Sequence, residues 1–211
     1  MEISWYGLSC FRLSERHHAS VVMDPYNGSK VGLSALKAKA DVVTVSHEAP
    51  GHDYTKAISG VSHTLEGPGE YEIGNVFITG IATPRDNGDG RNMIYLFDFQ
   101  GLKVAHLGDI VKVPTQSQIE ALEMVNVLLV PVGGGGSLNA AKAAEIVSML
   151  EPNIVIPMHY QQPGLKVELE PVDKFLAEMG ATDVAQENSL RISNSSLPDD
   201  SQVVLLNAKG D

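Results

Sequence analysis

The chain has 211 residues, 43% of them hydrophobic and 19% charged, enough apolar material to bury one sizeable core in a single domain spanning residues 1–211. Fifteen basic residues stand against 26 acidic ones, and the net charge of -11 opposes binding to phosphate backbones and argues against a nucleic-acid partner. No apolar run approaches the roughly 18 residues needed to cross a bilayer, so no membrane partner is expected either.

The N-terminus, Met1-Glu2-Ile3-Ser4-Trp5, places no basic region ahead of an apolar one, so no signal peptide is expected. One cysteine, Cys10, excludes an internal disulfide. Both features fit a cytoplasmic protein.

In chain order, residues 2–6, 10–14 and 19–23 read as a short antiparallel meander closed by Asp24-Pro25. Residues 34–39 suggest a short helix, followed by a buried strand over 41–46. Residues 72–81 and 93–99 read as strands, with Gly74-Asn75 and Gln100-Gly101 supplying turns. The second half alternates more regularly, with strands at 102–107, 127–132 and 153–158 and helices at 116–124, 140–150 and near 172–179. Asn139 is placed to cap the second of these helices. Strands at 189–192 and 202–207 close the chain. Strands followed by helices in both halves predict two sheets with helices on their outer faces. The run Gly133–Gly136 reads as a strand-to-helix turn rather than a phosphate loop, because no Gly-Lys-Ser/Thr follows it.

Four apolar strands end in polar residues suited to one rim. The strand over 42–46 delivers His47 and His52, that over 104–107 delivers Asp109, and that over 155–158 delivers His159. The strand ending near Ile81 delivers a loop carrying Arg85 and Asp86. Such strand ends are where α/β architectures place their chemistry. His106 lies inside its strand and reads as structural, His17, His18 and His63 as surface residues, and Cys10 as a packed thiol with no activating neighbour.

The segment Ser46-His47-Glu48-Ala49-Pro50-Gly51-His52-Asp53 has the spacing of a His-x-His-x-Asp-His metal loop, with Ala49 and Gly51 where ligands would stand. Together with Trp5–Phe11, Asp24-Pro25, Gly67–Tyr71, His106-Leu107-Gly108-Asp109, 128–134 and Pro157-Met158-His159-Tyr160, it resembles the metallo-β-lactamase superfamily. The likeness is to its small stand-alone branch of zinc-dependent hydrolases, which is related to the ascorbate-lactonase type.

The resemblance implies a four-layer αββα sandwich of two mixed sheets with outer helices and a dinuclear site at one edge. Of the first metal's three ligands only His47 is present, with Ala49 and Arg85 at the other two positions. Of the second metal's four, His52, His159 and the bridging Asp109 are present, and Gly51 replaces a carboxylate. Leu8 also stands where the family commonly has a histidine.

The resemblance therefore implies at most one zinc ion per chain, with His47, His52, Asp109 and His159 as the metal residues. Asp109 and Arg85 are the expected catalytic groups, Arg85 carrying a charge that never deprotonates. Three functions follow: a fold that has lost or strongly reduced dinuclear hydrolysis and holds a small-molecule ligand or partner, a one-zinc hydrolase of esters, lactones or phosphodiesters, and a nucleic-acid-processing member. The charge disfavours the third.

Overall fold

The computed structural model describes residues 1–85, 90–122, 124–181 and 184–209. Two mixed sheets carry the fold. The first has six strands in the order Leu190–Arg191, Glu2–Gly7, Cys10–Ser14, Val21–Met23, Val42–Thr44 and His63–Leu65. The N-terminal meander is antiparallel, while Val42–Thr44 runs parallel to both of its neighbours. The second has seven, in the order Gln202–Val203, Ile154–Met158, Val127–Pro131, Leu102–His106, Arg91–Phe99, Val76–Pro84 and Gly69–Ile73. It is parallel from Gln202–Val203 to Leu102–His106 and antiparallel beyond.

Alternation along the strands decides the layering, since successive side chains leave a strand on opposite faces. Val21, Met23 and Val42 join Trp5 and Phe11 in a core that also contains Met93, Tyr95, Phe97 and Val104 of the second sheet. Their neighbours Val22 and Val43 instead join Leu8, Cys10, Val31 and Val45 in a smaller cluster. Helix Ala140–Leu150 contributes buried Ala143, Ile146 and Val147 to the main core, and Phe175 of helix Asp173–Glu178 is also buried there. Helices thus lie outside two facing sheets, the sandwich implied by the sequence resemblance. Asn139 does cap helix Ala140–Leu150, accepting the Lys142 N–H at 3.0 Å.

Some expectations need correction. Residues 34–39 form no helix. The helical turn comes earlier, at Gly28–Val31, capped by Asn27 and ended by Gly32 at φ 88°, and Ala38–Lys39 instead pairs as a short strand with Ile58–Ser59. The strand expected over 72–81 is two strands, because Gly74 and Asn75 both take positive φ, 53° and 63°, as a tight two-residue hairpin requires. The helix expected over 116–124 is Gln116–Ala121; Leu122 turns into the core and Met124 takes φ 60°. Asp86 lies outside the described residues.

The sheets are joined by more than apolar contact. The hydroxyl of buried Tyr95, in the second sheet, donates to the carbonyl of Leu65, in the first, at 2.9 Å. Tyr95→Phe leaves the packing in place and removes that bond, so chemical denaturation is expected to show a loss of about 1–2 kcal/mol. An unchanged unfolding free energy would show that the bond contributes nothing net.

Candidate metal centre

Strand C-terminal ends from both sheets converge on one cavity of about 520 Å³, whose lining includes Leu8, His47, His52, Arg85, Asp109 and His159. The five described side chains singled out from the sequence, His47, His52, Arg85, Asp109 and His159, therefore share one site. His47 and His52 come from the loop after Val42–Thr44, Asp109 from the turn after Leu102–His106, His159 from the end of Ile154–Met158, and Arg85 from the end of Val76–Pro84.

Beneath them lies Asp24, which the sequence reading took as the residue closing a meander and as part of the family likeness, with no role at the site. Asp24 is 1% exposed. Its carboxylate accepts from His52 Nδ1 at 2.8 Å, from the Ser46 hydroxyl at 2.6 Å and from the Ser46 N–H at 2.7 Å. The Ser46 hydroxyl has one proton, and it goes to Asp24. At His47 Nδ1, 3.1 Å away, the same hydroxyl oxygen can only accept, so Nδ1 carries the His47 proton. One carboxylate thus sets both imidazoles, directly and through Ser46, with each Nε2 left as the free donor atom.

For His47 the electrostatics agree with this assignment; His52 is drawn towards its charged form. Burial alone would raise the Asp24 carboxyl, but His52, His106 and the Ser46 hydroxyl together outweigh it and carry the pKa down to about 2. Burial likewise opposes charge on His52, yet Asp24 prevails and its pKa rises. His47 and His159 are held down at about 4. Burial is the main cause for both, reinforced at each by His52 and opposed by Asp109. Both are therefore neutral at pH 7, as metal ligands must be.

Asp109 is fixed by Asn92, a wholly buried amide inside an apolar strand. The Asn92 side-chain oxygen accepts the Asp109 N–H at 2.7 Å, and its NH2 donates to the Leu107 carbonyl at 3.0 Å and to the Thr83 hydroxyl at 3.1 Å. The turn bearing Asp109 is thereby tied to the strand that delivers Arg85. The Arg85 guanidinium reaches Asp109 Oδ2 at 3.2 Å. His159 Nδ1 stands 3.7 Å from Asp109 Oδ1, which is buried and makes no hydrogen bond among the described residues.

His159 is itself in the left-handed region, φ 52°, as is Leu8 at φ 48°. The Leu8 carbonyl accepts both the His159 N–H at 3.1 Å and the Trp5 indole N–H at 2.9 Å, so neighbouring structure holds this strained pair in place.

These residues fit a divalent cation. One donor atom each from His47, His52 and Asp109 lies within 4.8 Å of the others, and the orphaned Oδ1 of Asp109, on the His159 side, is a buried acceptor with no hydrogen bond among the described residues. The grouping differs from the one the motif implies, which set His47 apart and joined His52 to Asp109 and His159. The turn that bonds the His52 and Asp53 N–H groups to the Ala49 carbonyl folds the loop back, bringing the His47 and His52 rings within 4.2 Å, whereas His159 lies 5.5 Å from His52.

The other histidines lie apart from this group. His106 is buried, with Nε2 on the Ser9 carbonyl at 2.8 Å and Nδ1 accepting the Gly108 N–H. His17 and His63 are exposed, and His18 rests half-buried against Phe99. Cys10 is fully buried, which pushes its thiol pKa well up. The signals missed in the sequence were an aspartate and a serine ending adjacent strands and an asparagine inside an apolar run, a place where an amide is retained only when bonded.

Two outcomes are expected. Asp24→Asn cannot accept from three donors, so zinc titration should show affinity falling about 10- to 100-fold, while Asn at exposed Asp53 leaves it unchanged; equal affinities would sink the orienting role. In metal-free protein, His47 and His159 have folded pKa values near 4, below the unfolded 6.5. The unfolded chain therefore binds more protons between pH 6.5 and 4, and stability falls as pH drops through that window. The raised pKa of His52 acts in the opposite sense, one group against two. Urea unfolding in EDTA should lose on the order of 2–4 kcal/mol between pH 7 and 4.5; a flat profile would contradict the neutral assignment.

Residues 2–159 match the family model described as a Beta-lactamase superfamily domain. A UPF0173 protein of Pyrococcus furiosus is 29% identical over 205 residues, covering 85% of this chain and 90% of its own. A UPF0173 metal-dependent hydrolase of Thermoplasma acidophilum is 28% identical over 213 residues, with 85% and 91% covered. Among solved structures, a candidate Zn-dependent hydrolase of the metallo-β-lactamase superfamily from Thermotoga maritima superposes with a TM-score of 0.80 at 33% identity, over 97% of each chain. With its two-sheet sandwich and its metal-fitting rim at the strand ends, the chain belongs to the metallo-β-lactamase superfamily.

Proposed function

We propose that the chain holds a single divalent cation, zinc, on His47, His52 and Asp109, with His159 beside them, and that dinuclear hydrolysis is lost or strongly reduced. The observation that carries this reading is the Arg85 guanidinium, 3.2 Å from Asp109 Oδ2, at a position where the resemblance puts a ligand histidine. A fixed guanidinium repels a second ion and supplies the counter-charge that ion would have given Asp109. Ala49 and Gly51 also line the cavity and offer no donor atom or proton acceptor.

Zinc at this place supplies Lewis-acid polarisation of a substrate oxygen. The chain's own residues do the rest. Asp24 and Ser46 fix the two loop imidazoles, Asn92 fixes Asp109, and Arg85 faces the cavity as a hydrogen-bond donor for a negatively charged ligand. The ligand is a small molecule, since the net charge of -11 opposes nucleic acid. No helix among the described residues is long and apolar enough to cross a membrane, and the single cysteine suits a cytoplasmic setting. A second reading, a one-zinc hydrolase of esters, lactones or phosphodiesters, is favoured by the orphaned Asp109 Oδ1 and by the strained backbone of His159.

Metal analysis of protein loaded with excess zinc and then desalted is expected to give no more than one ion per chain. Two ions at full occupancy would overturn the reading. Restoring Ala49→His, Gly51→Asp and Arg85→His together should raise uptake to two. Gly51 is outside the left-handed region, and a Cβ there would meet Leu8 Cδ1 at 3.5 Å, an ordinary contact. A folded triple variant with no added zinc would mean that the ligand alignment is wrong.

A further inference from the structure

We infer that the rim is a receptor for small organic anions, carboxylates or phosphates bearing an apolar portion, with Lys30 as a selecting residue. This rests on the one-cation reading for the centre of the site and adds the class of molecule that enters it. Among the described residues, Lys30 and Arg85 are cations in the cavity lining and Asp109 is its one carboxylate, in a chain where acidic residues outnumber basic ones 26 to 15. A positively lined cleft in an otherwise negative protein concentrates field lines and favours anions locally.

The position of Lys30 follows from how its turn is built. Helical turn Gly28–Val31 is capped by the Asn27 side chain, and the Asn27 N–H donates to the Pro50 carbonyl at 2.8 Å, inside the loop that carries His47 and His52. The turn is thereby tied to the loop that carries the two histidines. The Lys30 ammonium makes no ion pair among the described residues.

Direction and shape narrow the class further. A neighbouring cavity of about 680 Å³ shares His47, Ala49 and Arg85 and adds Glu48, Glu66 and Arg91 to its lining, so the charges added on that side of Arg85 are two negative and one positive, where the other side adds the positive Lys30. The Lys30 side instead offers Leu8, Val31 and Val167, an apolar wall for the uncharged part of the ligand. A volume of about 520 Å³ suits a small molecule rather than a polymer.

Calorimetric titration of the full chain at low ionic strength tests this with four probes: phenyl phosphate, inorganic phosphate, benzoate and benzamide. Both metal-free and zinc-loaded protein are used, with zinc content measured in each sample. Phenyl phosphate is expected to bind at least about tenfold more tightly than inorganic phosphate, and benzoate about tenfold more tightly than neutral benzamide. Lys30→Ala should weaken both organic anions about tenfold, the loss of one charge-assisted bond, and Lys30→Arg should restore them. Lys30 is exposed, and circular dichroism checks that both variants fold. Benzamide matching benzoate, or Lys30→Ala binding like the parent, overturns the inference even if one zinc ion is present. Lys30-dependent anion binding in a protein that takes up no zinc upholds the inference and rejects the one-cation reading instead.

Discussion

The site rests on the buried carboxylate of Asp24. Removing such a group from water is costly, and the cost is offset only because three donors converge on it. Those donors belong to the strand end that becomes the metal loop, so satisfying one buried charge also fixes that loop's starting direction. Asp24 itself takes φ 46°, a conformation that asparagine and aspartate tolerate better than other side chains with a Cβ. Fold and site are thus coupled at a single residue: the first sheet must pair Val21–Met23 with Val42–Thr44 for Asp24 to lie beneath Ser46 and His52, and their bonds in turn secure that pairing at the rim.

A second buried polar group plays the same part in the other sheet. Asn92 distributes its hydrogen bonds among Asp109, Leu107 and Thr83, and the Met93 N–H next to it donates to the Ser46 carbonyl at 2.8 Å. Both ligand-bearing turns are therefore referenced to the start of one strand, Arg91–Phe99. The close approach is also visible at Gly108, where a Cβ would lie 2.4 Å from the Asn92 side-chain oxygen and 2.6 Å from Ser46 Cβ. Only glycine, at φ 61°, lets the two sheets meet there. The distance between His47 and Asp109 is set by that packing rather than by either loop alone.

How much of this was legible in the sequence depended on whether a signal was local. Apolar runs ending in His47, Asp109 and His159 located the rim, because a strand's end is encoded beside the residue it delivers. The helix at Ala140–Leu150 and its cap were legible for the same reason. The short helix expected over 34–39 does not form because the capping side chain that starts a helical turn, Asn27, lies upstream and places that turn at Gly28–Val31. Asp24, Ser46 and Asn92 were passed over because their roles arise from pairings across 22, 28 and 17 residues, which no local pattern reports. The grouping of His47 with His52 depended on a turn within the loop, whose shape the ligand spacing does not determine.

Arg85 brings these constraints to one point. A histidine in its place could lose its proton and bind an ion, whereas a guanidinium keeps its charge throughout. Two unit charges about 4 Å apart interact by roughly 4 kcal/mol where the effective dielectric is near 20, and a divalent ion doubles that repulsion. Asp109 Oδ2 is held by Arg85 at 3.2 Å and stands 3.7 Å from His47 Nε2, while the free Oδ1 stands 3.7 Å from His159 Nδ1, so on the one-cation proposal a single carboxylate oxygen is left for a cation. On the two proposals made above, the positive charge that keeps a second metal out also leaves the cavity attractive to an anion. If both proposals hold, arginine in place of a ligand histidine changes what the rim recognises as well as what it can hydrolyse.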